Sequence, residues 1–298
     1  MDNAAPAGRL PGGVGWTALM TAYARARETA RDDRLFADPW AQRIVTASDS
    51  ADGSGLPRFG PAGEDGGSIV WDSLITYFTV RTPFYDEQVR AACAAAFRQV
   101  VLLAAGLDAR AWRLDLPAGT AVYEVDTQPV LDYKHAVLTE QPRNHRVPVV
   151  ADLREDWPSA LRRAGHDPAQ PTVWLLEGLL MYLDAADCDR LLSTIGERTT
   201  GAGRIALEYF GDGDPTASPL IDGADERDKA ATRFTGSLFR EGPPAEPGRW
   251  LAGHGWCPEV SSVAEQAGRW GRQVPEVFDP QNHPDGVDVW LAAAALVR

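Results

Sequence analysis

Residues 99–126 read Q-V-V-L-L-A-A-G-L-D-A-R-A-W-R-L-D-L-P-A-G-T-A-V-Y-E-V-D, and this stretch decides the fold. Its first apolar run, Val100 to Ala105, fits a strand of a buried parallel sheet. The run stops at Gly106, where the backbone can turn sharply or admit a ligand. A second apolar run, Ala121 to Val125, carries Glu124 and ends at Asp126. Asp126 lies 20 residues after Gly106. A nucleotide-binding α/β unit places a carboxylate on a ribose hydroxyl pair at about that spacing.

Upstream, Trp16 to Arg31 has a helical pattern, with Trp16, Leu19, Met20, Tyr23 and Arg27 near one face. A turn at Asp38 precedes a short helix begun by Pro39. Residues 48–67, rich in Gly, Ser, Asp and Pro, read as a mobile loop. Ser68 to Val80 reads as a helix that Pro83 interrupts, with Thr82 as the N-cap of a new one. Arg81 then falls at a junction between two helices.

Downstream, Val130–Leu138 predicts a helix, Arg146–Val150 a strand and Thr172–Leu176 another. A helix capped by Asp184 follows, then a strand over Arg204–Tyr209. This alternation means an α/β fold: a parallel sheet with helices on both faces. Residues 211–250 break the rhythm around one helical piece, Glu226–Phe239, and read as an insertion that caps the site. The end resumes with W-C-P-E-V-S-S-V, a helix near Ala264–Trp270 and a strand over Val289–Val297. Two closing strands without a full crossover predict an antiparallel edge. The expected organisation is a disordered tail over 1–15 and a single domain over 16–298. Within it, 16–82 form a helical lid, 83–210 the core, 211–250 the cap and 251–298 the last strands.

The chain has 298 residues, 29 basic against 42 acidic, for a net charge of -13. No basic block occurs, which argues against nucleic acid or an anionic membrane as partner. No run of about 18 apolar residues suggests a transmembrane helix. The first residues lack the charged start and apolar core of a secretory signal. Cys93, Cys188 and Cys257 are far apart and odd in number, and read as reduced thiols of a cytoplasmic protein.

In an open parallel sheet, ligands bind beyond the carboxyl ends of the strands. Four such ends carry acids: Asp108 beside Gly106, Glu124 with Asp126, Asp152 with Leu153, and Glu177 with Gly178. One such carboxylate is ordinarily a helix N-cap, but four along one edge suggest a ligand with a ribose, an adenine and a positive end. The loop A-A-G-L-D-A-R is not G-x-G-x-x-G, and no G-x-x-x-x-G-K-[ST] occurs, so a pyrophosphate cradle is missing. A phosphate-free nucleoside fits better, and S-adenosylmethionine is the common one.

The chain resembles the leucine carboxyl methyltransferase-like group of S-adenosylmethionine-dependent methyltransferases, in its bacterial O-methyltransferase branch, some members of which act on polyketides. The motifs are T-A-Y-A-R-A-R-E-T, D-R-L-F-A-D-P-W-A, V-R-T-P-F-Y-D, V-V-L-L-A-A-G-L-D-A-R-A-W-R-L, V-Y-E-V-D-T-Q-P-V-L-D-Y-K, A-D-L-R-E-D-W and W-L-L-E-G-L-L-M-Y-L. They cover roughly residues 15–210 well. The resemblance implies a Rossmann-like class I methyltransferase sheet, with S-adenosylhomocysteine as cofactor product. It further implies that Arg81 grips the methionine carboxylate, a job for a bidentate fork. Ala105 and Gly106 would lie along the methionine part with Asp108 nearby. Asp126 would bind the ribose, Asp152 and Leu153 the adenine, and Glu177 the amino end. Arg27 would match a basic residue near the carboxylate, and Tyr182 a tyrosine next to the acceptor. Many members have glycine where this chain has Ala104. The 211–250 segment departs from the peptide-binding part of the protein-modifying members, which speaks against a protein C-terminus as substrate.

The expected reaction is O-methylation of a small molecule, a carboxylate or a phenol or hydroxyl of a polyketide-like secondary metabolite. Methyl transfer is an in-line displacement, so alignment and exclusion of water are the main tasks. A carboxylate needs no base, whereas a hydroxyl gains from one. Of five histidines only His254 is a candidate, and a plain loop residue is its ordinary reading. The pattern contains no Ser-His-Asp, H-E-x-x-H or paired-cysteine metal motif. Two other readings stay open: a non-catalytic sensor that keeps the cofactor fold, and a nicotinamide oxidoreductase.

Overall fold

The computed structural model describes residues 14–49, 69–211, 226–275, 278–279 and 288–297. The expected tail up to residue 13, most of the 48–67 loop and the first part of the 211–250 insertion lie outside the described residues.

Seven strands form one sheet: β1 (Gln99–Leu103), β2 (Ala121–Asp126), β3 (His145–Val150), β4 (Thr172–Leu176), β5 (Gly203–Phe210), β6 (Trp256–Ser262) and β7 (Val289–Leu296). Their spatial order is β3-β2-β1-β4-β5-β7-β6. β1 pairs in parallel with β2 on one side and β4 on the other, and β5 continues the parallel run beside β4. β7 inserts between β5 and β6 and runs antiparallel to both, so the antiparallel pairing falls at the expected end of the sheet. The chain builds outward from β1 to β3, then returns to β4 on the other side. The switch point between β1 and β4 opens a crevice at their carboxyl ends.

Side chains alternate between faces along each strand, and the two cores follow that period. Val100, Leu102, Val122, Val173 and Leu175 point into one apolar cluster. Val101, Leu103, Tyr123, Trp174 and Leu176 point into the other. Over the first face lie α1 (Val14–Thr29), α2 (Pro39–Asp49), α3 (Ile69–Ala94) and α5 (Gln128–Val137). Against the second lie α6 (Trp157–Arg163), α7 (Ala185–Arg198) and α9 (Pro247–Gly253). The short α4 (Arg110–Arg113), α8 (Glu226–Leu238) and α10 (Val263–Arg269) complete the α-helices among the described residues, and one 3-10 turn spans Leu180–Tyr182. No described helix is long and apolar enough to cross a membrane.

Asp184 caps α7 through the N–H of Asp187, as its sequence predicts. The break expected at Pro83 does not occur: α3 runs unbroken with Pro83 inside it. Thr82 caps nothing; its hydroxyl donates to the carbonyl of Phe78 at 2.8 Å, one turn back. Both flanks of α3 are buried around Pro83, and packing against α1 and β4 holds the helix through the one missing backbone bond. Arg81 therefore projects from the middle of a helix rather than from a junction.

His166 shows what the core does to a titratable group. It sits between Tyr123 and Trp174, at 5.6 and 5.4 Å between ring centroids, and its Nε2 lies 3.1 Å from Thr172 Oγ1. Burial pushes it from 6.5 down to about 4. As pH falls from about 6.5 towards 4, the unfolded chain takes up a proton that the folded one refuses, so stability is lost across that window. Urea denaturation should show a steeper loss over that range for the wild type than for His166→Gln, which keeps a partner for Thr172 without titrating.

Candidate functional site

The crevice begins with backbone geometry. Ala104 has φ +54° and Gly106 φ +48°, so the chain leaves β1 through two left-handed residues. A glycine takes that conformation without steric cost and an alanine does not. A Cβ on Gly106 would stand 3.5 Å from the Cβ of Ala18 on α1, so the loop passes close beneath that helix. Asp126, at the end of β2, ties the turn down: its Oδ2 accepts from the Gly106 N–H and its Oδ1 from the Thr127 N–H, each at 2.7 Å. A carboxylate has about four acceptor sites, so lone pairs remain for hydroxyl groups of a ligand. Burial raises the Asp126 carboxyl, and the two amide bonds pull it back.

A buried charge network frames this turn. Arg110, the first residue of α4, donates from Nε to Asp86 on α3 at 2.8 Å, and from Nη1 to Glu177 at 2.5 Å and to Asp108. Burial disfavours the Asp108 carboxylate, but Arg110, then Lys134, Arg113 and Arg25, outweigh it and hold the group at about 2. Arg113 also binds Asp86. Arg25 of α1 donates to Asp38 at 2.8 Å and to the carbonyl of Leu107 at 2.8 Å. α1 is thus bonded directly to the loop that follows β1.

Arg81 lies across the end of β4, only 4% exposed. Its Nη1 donates to both oxygens of Glu208 on β5, at 2.7 and 2.9 Å, and to Tyr77 Oη at 3.0 Å. Burial opposes its charge most strongly, and Glu208, Tyr77, Glu177 and Tyr85 together outweigh it to keep the guanidinium protonated. Its Nε is buried, 3.3 Å from Glu177 Oε1, and makes no hydrogen bond among the described residues. An unspent buried donor beside the cavity suits an anionic ligand group such as a carboxylate. With Asp126 and the turn at Gly106, the residues fit an aminoacyl nucleoside.

These groups open into one cavity of about 420 Å³. Gly106, Asp108, Asp126, Glu177, Arg25 and Arg81 line its polar half. Met181, Phe210, Phe239 and Phe278 line the other half, with Tyr77 and Tyr182 between. The rings of Tyr77, Phe210, Phe278, Phe239 and Tyr182 touch in a chain with centroids 5.3 to 6.3 Å apart. Burial pushes the Tyr182 hydroxyl up to about 12, so it is neutral near pH 7. Thr232 of α8 also faces the cavity, and its buried Oγ1 has no partner among the described residues.

The structure gathers Arg81, Ala105, Gly106, Asp108, Asp126, Glu177 and Tyr182 around this cavity. It does not bring Arg27 there. Arg27 is exposed, and Arg25 takes the inward position, because two residues along a helix turn a side chain by about 200°. Asp152 and Leu153 follow β3 outside the cavity. Ala151 bonds to the Asp126 carbonyl, so they stand beside the end of β2. A hydrogen bond from Arg154 holds Asp152 at about 2. Glu124 points away from the rim and is fully buried with Lys134 and Arg146, at 2.9 and 2.7 Å. His254 ends α9 and pairs with Asp189 of α7 at 3.2 Å, outside the cavity, as a plain structural residue.

Arg25, Tyr77 and Glu208 were not singled out in the sequence. Glu208 had a signal, being a lone acid in the apolar strand I-A-L-E-Y-F. Tyr77 had one too, four residues before Arg81 and so on the same helix face. Asp126→Ala should weaken S-adenosylhomocysteine binding by about 1–3 kcal/mol in calorimetric titration, the usual effect of removing a charged hydrogen-bond partner. Unchanged affinity would reject the role.

With this geometry in view, residues 18–196 match the model of the family described as leucine carboxyl methyltransferase. A Mycobacteroides abscessus protein is 42% identical over 278 residues, 88% of this chain and 90% of that one. A Frankia alni protein is 38% identical over 291 residues, 96% of this chain and 97% of that one. Both carry provisional names as S-adenosyl-L-methionine-dependent methyltransferases. A crystal structure from Thermobifida fusca, provisionally named a methyltransferase, has the same fold: TM-score 0.50 and 19% identity, over 93% of this chain and 94% of that one. The chain therefore belongs to the leucine carboxyl methyltransferase family, a family of S-adenosylmethionine-dependent methyltransferases.

Proposed function

We propose that the protein methylates an oxygen atom of a small, largely apolar acceptor, with the cofactor in the polar half of the cavity and the acceptor in the aromatic half. The observation that carries this reading is that one cavity of about 420 Å³ is lined both by a charged cluster, with Asp108, Asp126 and Glu177, and by a chain of touching rings from Tyr77 to Tyr182. When bound, the cofactor supplies an activated methyl group on a sulfonium.

The chain's own work is binding and alignment. Arg81 offers Nε to a carboxylate, Glu177 an acceptor to an ammonium, and Asp126 lone pairs to ribose hydroxyls. The carboxylates around the polar half suit a ligand that carries net positive charge. Asp152 and Leu153, beside the end of β2, would border the adenine end. The aromatic rings exclude water and hold a flat apolar body, while Thr232 and Tyr182 give it two polar contacts. Holding the reactants in line is a large part of the catalysis. α1 serves as the lid and α8 as part of the cap within one domain.

Such an acceptor fits small-molecule biosynthesis, and the three free cysteines fit a reducing compartment such as the cytoplasm. A nicotinamide reading is disfavoured by acids where a pyrophosphate would lie. Titration with NADH against S-adenosylhomocysteine separates the two.

The test is methyl transfer from labelled S-adenosylmethionine to a panel of aromatic phenols and carboxylates, beside equally small sugars. Methylation of the aromatic compounds alone supports the proposal. No transfer to any compound, with the cofactor bound, favours a sensor. Phe239→Ala should raise KM for an aromatic acceptor about 2- to 10-fold, from the roughly 0.5–1.5 kcal/mol of one ring contact. Affinity for S-adenosylhomocysteine should not change, because Phe239 stands in the aromatic half.

A further inference from the structure

Glu208 is the buried acid that this reading leaves unused. Its side chain is 0% exposed, and it does not itself line the cavity. Tyr77 does line it, and Tyr77 Oη donates to Glu208 Oε2 at 2.5 Å. The ring of Tyr77 packs on Phe210 and Phe278, two walls of the aromatic half. Tyr77 therefore stands between the acceptor chamber and the acid. The charged and titratable groups facing Glu208 are Arg81, Tyr77 and Tyr85 from α3 and Glu177 from the end of β4. The Gly178 N–H also donates to it.

We propose that Tyr77 and Glu208 form a proton relay that serves a hydroxyl acceptor in the aromatic half. This rests on the placement of cofactor and acceptor given above. The acceptor O–H passes its proton to Tyr77 Oη while Tyr77 passes its own to Glu208 Oε2. The freed oxygen electron pair forms the new bond to the methyl carbon as the S–CH₃ bond breaks, and that bond's electrons stay on sulfur. One proton ends on Glu208 and one methyl on oxygen, and the proton returns to solvent once the product has left.

Burial, the largest influence on Glu208, raises its carboxyl and makes it a better proton acceptor than a surface acid; Arg81 opposes this. Arg81 Nη1, 3.0 Å from Tyr77 Oη, steadies negative charge that develops on the phenol oxygen during the relay. Among the described residues, no histidine lines the cavity. Tyr182, at about 12, cannot act as a base near neutral pH. A carboxylate acceptor would arrive ionised and leave the pair idle, so the relay selects phenols or alcohols.

The test uses 4-nitrophenol, whose phenolate absorbs in the visible, bound to protein saturated with S-adenosylhomocysteine. In the wild type the apparent pKa of the bound probe should fall by about one unit or more below its solution value, a large environmental shift for such a group. In Tyr77→Phe and in Glu208→Gln it should return to the solution value or higher, while tryptophan fluorescence still reports binding. Tyr77→Phe removes one hydroxyl only, so it decides the matter even where Glu208→Gln fails to fold. If Arg81 alone drew the phenolate in, Glu208→Gln would strengthen the visible band, and that result overturns the relay. A wild type that binds the probe as the neutral phenol also overturns the relay, but leaves the acceptor chamber standing. A wild type that binds S-adenosylhomocysteine but no probe overturns the chamber and the relay with it.

Discussion

One buried cation holds the site together. Arg110 begins a four-residue helix and is only 2% exposed, yet its guanidinium meets carboxylates from three separate places: Asp86 on α3, Asp108 on the loop after β1 and Glu177 after β4. An unpaired guanidinium there would cost several kcal/mol, and removing one partner of a buried pair typically costs about 3–5 kcal/mol. The elements that carry these acids are therefore not free to drift. Arg113 extends the arrangement to Asp38 at 3.9 Å, and Arg25 joins Asp38 to α1. α1, the loop after β1 and the strand ends are positioned by one continuous set of charge pairs.

The cavity inherits its two characters from this arrangement. Around Arg110 the acids crowd together, and Asp126 adds another that is held by backbone amides rather than by a cation. Towards α8 the charges stop and rings take over, with only the Arg81–Glu208–Tyr77 group beneath them. A ligand with a cationic centre is drawn to the first region and an apolar one to the second. In the function proposed above, the boundary between them, at Tyr77, Arg81 and Tyr182, is where a methyl group would cross.

Much of this was legible in residue order. Strand runs, the turn at Gly106, the acid at Asp126 and the cap at Asp184 all express local chemistry: period, backbone permissiveness and short-range hydrogen bonding. The acids at the strand ends were legible as a set, but their roles were not. Asp126 faces the cavity and Glu124, two residues earlier, does not, because Lys134 and Arg146 claim it from outside the strand. Pro83 misleads for a related reason: local rules end a helix there, while burial on all sides keeps α3 whole. Arg25 and Arg27 differ only in which way the helix is rotated, and the pattern of apolar residues in α1 is too weak to set that angle.

The sequence by itself determined an α/β sheet, the place where its crevice opens and the family to which the chain belongs, since all three depend on neighbours along the chain. Tertiary structure decided which charged groups meet. It put Arg25 rather than Arg27 at the crevice, paired Arg81 with Glu208 across 127 positions and laid Tyr77 over that pair. Charge pairing in a low-dielectric interior acts through space and depends on which side chains burial brings within about 3 Å, and residue order carries no record of that distance.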